Sequence, residues 1–104
     1  MFWCDHLYLG KKCRNRANRL KYKIANRIPH QAVYLIVLPQ SVNTVLEIIP
    51  STMLMQPAYP SKNLRIIGMG ANRKEAGELV RQIIDEVYQV QGNFDVASYV
   101  EISE

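Results

Sequence analysis

The sequence predicts an α+β domain of two layers, in which a mixed four-stranded sheet packs against two helices in the order α-β-β-β-α-β. Two stretches carry apolar residues at helical spacing, and four short stretches have the length and residue types of strands. A short turn between the first two strands predicts an antiparallel pair. A strand, helix, strand passage near the C-terminus predicts a parallel pair.

The first helix is predicted over residues 11–28. Its apolar positions recur at steps of four, three, four and four residues, and Pro29 ends the pattern. These positions are Cys13, Ala17, Leu20, Ile24 and Ile28.

A hairpin follows. Residues 32–38 are rich in β-branched and aromatic side chains and contain almost no polar group, which is typical of a central strand covered on both faces. Residues 39–43 supply turn formers, and residues 44–49 form the second strand. Residues 50–63 are predicted to be an irregular excursion that contains prolines.

The last third of the chain begins with a third strand at residues 64–68. A second helix starts near Asn72, with Glu75 completing an approximate capping box, and Gly92 is its predicted stop. Its inward stripe is Ala76, Leu79, Val80, Ile83, Val87 and Val90. Residues 94–102 then alternate well enough to predict the fourth strand.

Length and composition are those of one globular domain over residues 1–104, with residues 1–6 disordered or at its periphery. No apolar run approaches the roughly 20 residues of a membrane-spanning helix, so no membrane partner is expected. The N-terminus lacks the order of a signal peptide, which favours a cytoplasmic protein. Cys4 and Cys13 are then expected to be reduced thiols.

Charge is divided unequally along the chain. Eight of the 13 Lys and Arg residues fall between Lys11 and Arg27, and no acidic residue occurs between Asp5 and Glu47. Although the net charge is only +4, the N-terminal segment is strongly cationic. Such a segment suggests an anionic partner, but it is also typical of an ordinary solvated helix face.

At 100° per residue, five of these cations form one ridge along the first helix, with Tyr22 nearby as a stacking group. The ridge predicts binding of RNA or DNA phosphates. Two other interpretations stay open. Either the cations only form the solvated outer face of the helix, or they face the acidic residues of the second helix. The ridge is Lys12, Arg16, Arg19, Lys23 and Arg27.

A second candidate is the passage between the third strand and the second helix, where glycines and a helix N-terminus would accept a phosphate or another small anion. The dinucleotide fingerprint is incomplete, since Arg73 stands where its third glycine would be. A tight glycine turn without a ligand is the other interpretation. The candidate residues are Gly68, Gly70, Asn72, Arg73 and Lys74.

Metal binding and catalysis receive little support. The spacing of Cys4, His6 and Cys13 matches no closed zinc pattern, so no metal and no cofactor are expected. No nucleophile, base and oxyanion donor come together in the sequence. We therefore expect a non-catalytic binding or interaction module rather than an enzyme.

The second helix also carries an apolar flank of Gly77, Ile84 and Tyr88, at steps of seven and four residues. Because glycine within a helix costs roughly 1 kcal/mol relative to alanine, Gly77 suggests close approach by another backbone. That backbone is either the first helix of the same chain or the equivalent helix of a second copy in a homodimer.

Several short motifs carry a resemblance that covers most of the chain. They are residues 33–36, 46–49, 66–68, 75–80 and 94–99, with Gln56 and Tyr59 between them. In these motifs the chain resembles a group of short, uncharacterised proteins from anaerobic Gram-positive bacteria. The resemblance implies a compact bacterial cytosolic domain. It implies no catalytic or binding residues, and residues 1–6 fall outside it.

Overall fold

A computed structural model of the chain describes residues 2–38, 46–59, 64–97 and 99. These residues form four strands and two α-helices in the order β-α-β-β-β-α, and a short 3₁₀ helix at Ser51–Met55 lies between the third and fourth strands. The strands are β1 (Phe2–Leu9), β2 (Tyr34–Leu38), β3 (Glu47–Pro50) and β4 (Arg65–Gly70), and the helices are α1 (Ala17–Ala25) and α2 (Arg73–Gln91).

The strands form one mixed sheet in the order β1-β4-β2-β3. β2 is antiparallel to both of its neighbours, β3 and β4, whereas β1 runs parallel to β4. The α+β class, the four-stranded mixed sheet, the two helices and the antiparallel first hairpin are confirmed. Residues 39–45, which contain the predicted hairpin turn, lie outside the described residues.

The central strand β2 contributes to a separate core on each face of the sheet. Leu35 and Val37 pack with α1 on one face, and Ile36 and Leu38 pack with α2 on the other. The two helices therefore lie on opposite faces, and the prediction of two layers is wrong. A strand that is apolar on both sides needs cover on both sides, and a single layer of helices cannot supply it.

The fourth strand is β1, at the N-terminus. Residues 2–6, which are predicted to be disordered or peripheral, form part of this strand at the edge of the sheet, and Cys4 is buried in the core. The pairing with β4 shifts register between Trp3 and Tyr8, where residues 4–7 lie opposite Ile67 alone. Such a bulge interrupts the apolar alternation by which a strand is recognised in a sequence.

The predicted C-terminal strand over residues 94–102 is wrong within the described part of the chain, because residues 96, 97 and 99 are helical. The Asp95 N–H donates to Oδ1 of Asn93 (2.9 Å), and the Tyr99 N–H donates to the Asp95 carbonyl (3.2 Å). Local side-chain hydrogen bonds of this kind compete with strand formation. Within the described residues a strand precedes α1 and none follows α2, so the predicted order and the parallel crossover about the second helix are not found there.

Candidate nucleic-acid interface

Helix α1 is shorter than predicted, because residues 11–16 form turns instead of α-helix. The Cys13 N–H donates to the Gly10 carbonyl and the Arg16 N–H to the Cys13 carbonyl, each at 2.9 Å and each across three residues. The apolar stripe nevertheless points inward throughout, since Cys13, Leu20 and Ile24 are all buried. Its polar side is consequently turned away from the sheet.

The end of α1 is a Schellman pattern, in which the Ile28 N–H donates to the Lys23 carbonyl (2.8 Å) and the Arg27 N–H to the Ile24 carbonyl (3.2 Å). This pattern places Arg27 in the left-handed region, at φ 55°. Glycine is the usual residue there, because an L side chain in this conformation costs about 1–2 kcal/mol. Arg27 thus adopts a backbone conformation that is unfavourable for any residue with a side chain.

Of the five predicted cations, Arg19 and Lys23 lie within α1, Lys12 and Arg16 lie in the turns before it, and Arg27 follows its C-terminus. Lys12, Arg19 and Arg27 are exposed, while Arg16 and Lys23 are half-buried. The Arg16 guanidinium donates to the Lys12 carbonyl through Nε (3.2 Å) and Nη2 (3.1 Å), which ties the first turn to the helix. Among the described residues, no carboxylate forms an ion pair with any of the five.

In the described part of the chain no acidic residue of α2 forms an ion pair with this ridge, and α1 and α2 belong to cores on opposite faces of the sheet. Arg19 and Lys23 of α1 therefore do not face the second helix, although Lys11 and Arg14 of the preceding turns line a groove with Glu75 and Glu78.

The charged side chains of α1 are all basic, whereas α2 exposes both signs: Arg73, Lys74 and Arg81 are exposed, as are Glu78 and Asp85. The other two acidic residues of α2, Glu75 and Glu86, are half-buried.

Two aromatic side chains accompany the basic side chains. Tyr22 is 64% exposed and lies on the next turn from Arg19, so its ring is open to a stacking partner beside a cation. The Lys21 ammonium lies 5.6 Å from the centroid of the Trp3 ring, a cation–π contact that joins α1 to β1. We call the five cations together with Tyr22 the basic face.

The predicted anion site looks different in the structure. Gly68 and Gly70 are buried within β4 and, unlike Gly92, do not have positive φ. A Cβ on Gly70 would lie 2.7 Å from the Ala76 nitrogen, so this glycine permits close packing of β4 on α2. The tight glycine turn offered as the alternative is not the reason for these residues.

The N-terminus of α2 already holds a carboxylate. Oδ1 of Asn72 accepts the Glu75 N–H (2.8 Å), and Oε1 of Glu75 accepts the Ala71 N–H (2.9 Å). The Arg73 guanidinium lies 5.0 Å from the Tyr34 ring centroid, and Lys74 is exposed. A fixed negative charge at the helix end disfavours a second anion there, so the anion site stays a prediction with little geometric support.

On α2 the predicted flank is exposed at both of its ends. Gly77 is exposed and nothing lies within 4 Å of the position of a Cβ there, while Ile84 is half-buried. Tyr88 is 53% exposed and stacks on Phe94 with ring centroids 5.0 Å apart. The alternative in which the first helix of the same chain approaches Gly77 is wrong, because α1 lies on the other face of the sheet.

Sequence reasoning missed a histidine–serine pair. Nε2 of His30 lies 2.7 Å from Oγ of Ser51, and Nδ1 lies 2.9 Å from the Ile28 carbonyl. With Nδ1 as the N–H donor, Nε2 accepts from the serine hydroxyl, which also accepts the Val33 N–H (3.1 Å). Ser51 is fully buried, so no substrate reaches its oxygen, and the pair serves to fasten the 3₁₀ helix to the start of β2. No spacing motif announces it, because the two residues meet only in the fold.

A second missed cluster joins both ends of the chain. The Tyr8 and Tyr99 hydroxyls both donate to Oε2 of Glu86, the latter at 3.0 Å. Burial, followed by the hydrogen bond to Glu86, raises the pKa of Tyr8 well above its ordinary value.

Beside this cluster, an open groove of about 590 Å³ lies between β1 and α2. Its lining includes Lys11, Arg14, Glu75 and Glu78.

The described residues hold no group of three or more His, Cys, Asp or Glu side chains that could bind a metal ion. None of the helices formed by these residues is long and apolar enough to cross a membrane. Comparison with protein-family models, with curated proteins and with solved structures finds no match.

Proposed function

We propose that the protein is a non-catalytic binding module that binds single-stranded RNA or DNA through its basic face. The observation that carries the proposal is that the cations of α1 form no ion pair among the described residues, on the face of the sheet opposite to α2 and its acidic residues. A row of cations without ion-pair partners attracts a polyanion by replacing its counterions.

The aromatic ring on the basic face favours a single strand over a duplex. Bases of a single strand are free to stack, and stacking on an aromatic side chain contributes about 1–3 kcal/mol per base. Tyr22 is exposed next to Arg19, so one nucleotide could place its base on the ring and its phosphate on the guanidinium.

The conformation of Arg27 gives independent support. Residues held in disfavoured backbone regions cluster at functional positions, where the side chain is worth more than the local strain. A guanidinium at φ 55°, at the end of a row of four other cations, fits this description. A cation at a helix C-terminus also interacts well with the helix dipole, which offsets part of the strain.

Fluorescence anisotropy with a labelled 12-nucleotide RNA and the equivalent DNA tests the proposal. At low salt we expect binding that weakens steeply as salt rises, because phosphate contacts release counterions. Arg19→Glu with Lys23→Glu should weaken binding at least about tenfold, and Tyr22→Ala should weaken it for single strands without changing the salt dependence.

The matched control is Arg73→Glu with Lys74→Glu, which changes the net charge equally but at the predicted anion site. This variant should bind the RNA nearly as well as the unmodified chain. Equal losses in both double variants would show that net charge alone attracts the RNA, and a larger loss in the control would move the site to the N-terminus of α2. Either result contradicts the proposal, as does binding that is insensitive to salt.

A further inference from the structure

The flank of α2 that contains Gly77 and Tyr88 has a spacing that reads the same from either end. Four positions follow at steps of four, three and four residues, and they share one side of the helix at 100° per residue. The four positions are Gly77, Arg81, Ile84 and Tyr88.

Such a spacing is complementary to itself when two copies of the helix lie antiparallel. A twofold axis between Arg81 and Ile84 brings Tyr88 of each copy over Gly77 of the other. Gly77 leaves open space there, since nothing lies within 4 Å of its Cβ position. Tyr88 projects from the surface and is stiffened by its stacking on Phe94, so ordering its ring on docking loses little entropy.

The charges on this flank fit the same pairing. Arg81 and Asp85 are both exposed, one turn apart, and form no ion pair with each other in the part of the chain that the structure describes. In the antiparallel arrangement Arg81 of one copy faces Ile84 of the second copy, with Asp85 of that copy beside it. Both copies make the same contact, so the interface carries two equivalent ion pairs.

We propose that a second copy of this chain docks antiparallel on α2, with each Tyr88 seated over the Gly77 of the other copy. The two α1 helices then lie on the outer faces of the homodimer, because α1 and α2 cover opposite faces of the sheet. If the proposed function holds, the dimer presents two basic faces that point in opposite directions, and it binds two strands rather than one longer stretch.

Sedimentation equilibrium over a range of protein concentrations measures the docking without any nucleic acid. We expect a mass near twice 12.0 kDa at the upper concentrations. Gly77→Gln, which fills the open space with a polar side chain, and Arg81→Asp, which faces Asp85 of the other copy, should each raise the dissociation constant at least about tenfold. Both sites are exposed, so neither change disturbs the core.

A charge swap tests whether Arg81 pairs with Asp85 of the other copy, or whether Arg81→Asp weakens the dimer only by changing the net charge. Arg81→Asp combined with Asp85→Arg recreates the ion pairs with their signs exchanged, and it should return the dissociation constant to near its original value. The swap also places the acid before the base within α2, the favourable order for a helix. A monomer at every concentration, or a dimer indifferent to Gly77→Gln and unrestored by the swap, would overturn the proposal.

Arg19→Glu is the matched control, since it reverses one charge on the opposite side of the sheet. It should weaken RNA binding and leave the dimer intact, whereas Arg81→Asp should separate the dimer and leave the affinity of each basic face unchanged. The two proposals therefore fail independently: a dimer without RNA binding overturns the proposed function alone, and RNA binding by a monomer overturns the docking alone.

Discussion

The two helices of this protein cover the same sheet from opposite sides but are built in different ways. α2 has 19 residues, a side-chain cap at Asn72 and a left-handed glycine at Gly92. α1 has nine residues, lacks a side-chain cap hydrogen bond at Arg16 and ends in a left-handed arginine. The ends of α2 use the residue types that stabilise a helix, whereas the ends of α1 use residues that carry charge.

The difference indicates what holds each helix in place. α2 has a capping residue at each end, so contacts within the helix itself contribute much of its stability. α1 is too short to be stable alone and depends on the burial of its inward residues. Because packing supports it, the outer side of α1 is free to concentrate cations that do little for the helix itself.

Truncation of one buried isoleucine in each helix is the strongest test of this comparison. Ile24 of α1 is 1% exposed and Ile83 of α2 is 0% exposed. We expect Ile24→Ala and Ile83→Ala each to lower the free energy of unfolding by about 2–5 kcal/mol, from lost burial and the cavity left behind. Urea denaturation followed by circular dichroism measures both.

The loss at Ile24 decides whether α1 is fixed to the sheet. A cost below about 1 kcal/mol at Ile24, beside a full cost at Ile83, would show a loosely attached basic helix. The exposed Ala25 next to it offers a matched control, since Ala25→Ser should change stability by no more than about 0.5 kcal/mol. A comparable loss there would contradict the assignment of inward and outward sides.

The periodic helix stripes and the apolar strand β2 could be predicted from the sequence, because their residues repeat at the spacing of the element they form. The capped start of α2 was predicted for a similar reason: Asn72 and Glu75 act within one turn of chain. The basic ridge also follows from spacing alone, but the structure places only Arg19 and Lys23 of its five cations within α1.

Features that depend on distant contacts could not be read in this way. β1 is hidden by its bulge, where pairing with β4 compensates for the broken alternation. The placement of α1 and α2 on opposite faces follows from β2 being apolar on both sides, yet the sequence does not say which helix takes which face. The contacts of His30 with Ser51 and of Tyr8 with Glu86 join residues far apart in the chain.

A pair of glycines in the α2 half of the molecule sharpens the comparison with a smaller effect. A Cβ on Gly70 would press on the backbone nitrogen of Ala76 at 2.7 Å, whereas a Cβ on Gly77 would meet nothing within 4 Å. We expect Gly70→Ala to destabilise the fold by about 1–3 kcal/mol through overpacking. Gly77→Ala should stabilise it by about 0.5–1 kcal/mol, because alanine favours the helix.

Thermal and urea unfolding at a fixed protein concentration measures the two glycine variants side by side. Opposite signs are the decisive result, because both substitutions add the same methyl group. A stabilising Gly70→Ala would contradict the close packing of β4 on α2. A destabilising Gly77→Ala whose loss grows with protein concentration would mean that a group of a second copy, such as the Tyr88 ring, occupies the space over this glycine.

The smallest expected effect contrasts the two left-handed helix ends. Arg27→Gly relieves a side chain at φ 55° and should raise the free energy of unfolding by up to about 1 kcal/mol, after the entropy that glycine adds to the unfolded chain. Gly92→Ala forces a side chain into φ 71° and should lower it by about 1 kcal/mol. Arg27→Lys retains the charge and the strain, so it should leave stability nearly unchanged.

In the RNA assay, Arg27→Gly should weaken binding while Arg27→Lys retains most of it, since the cation rather than the backbone makes the contact. If Arg27→Gly left binding unchanged, the strained arginine would be no part of the basic face, and the comparison between the helices would reduce to one of length and capping.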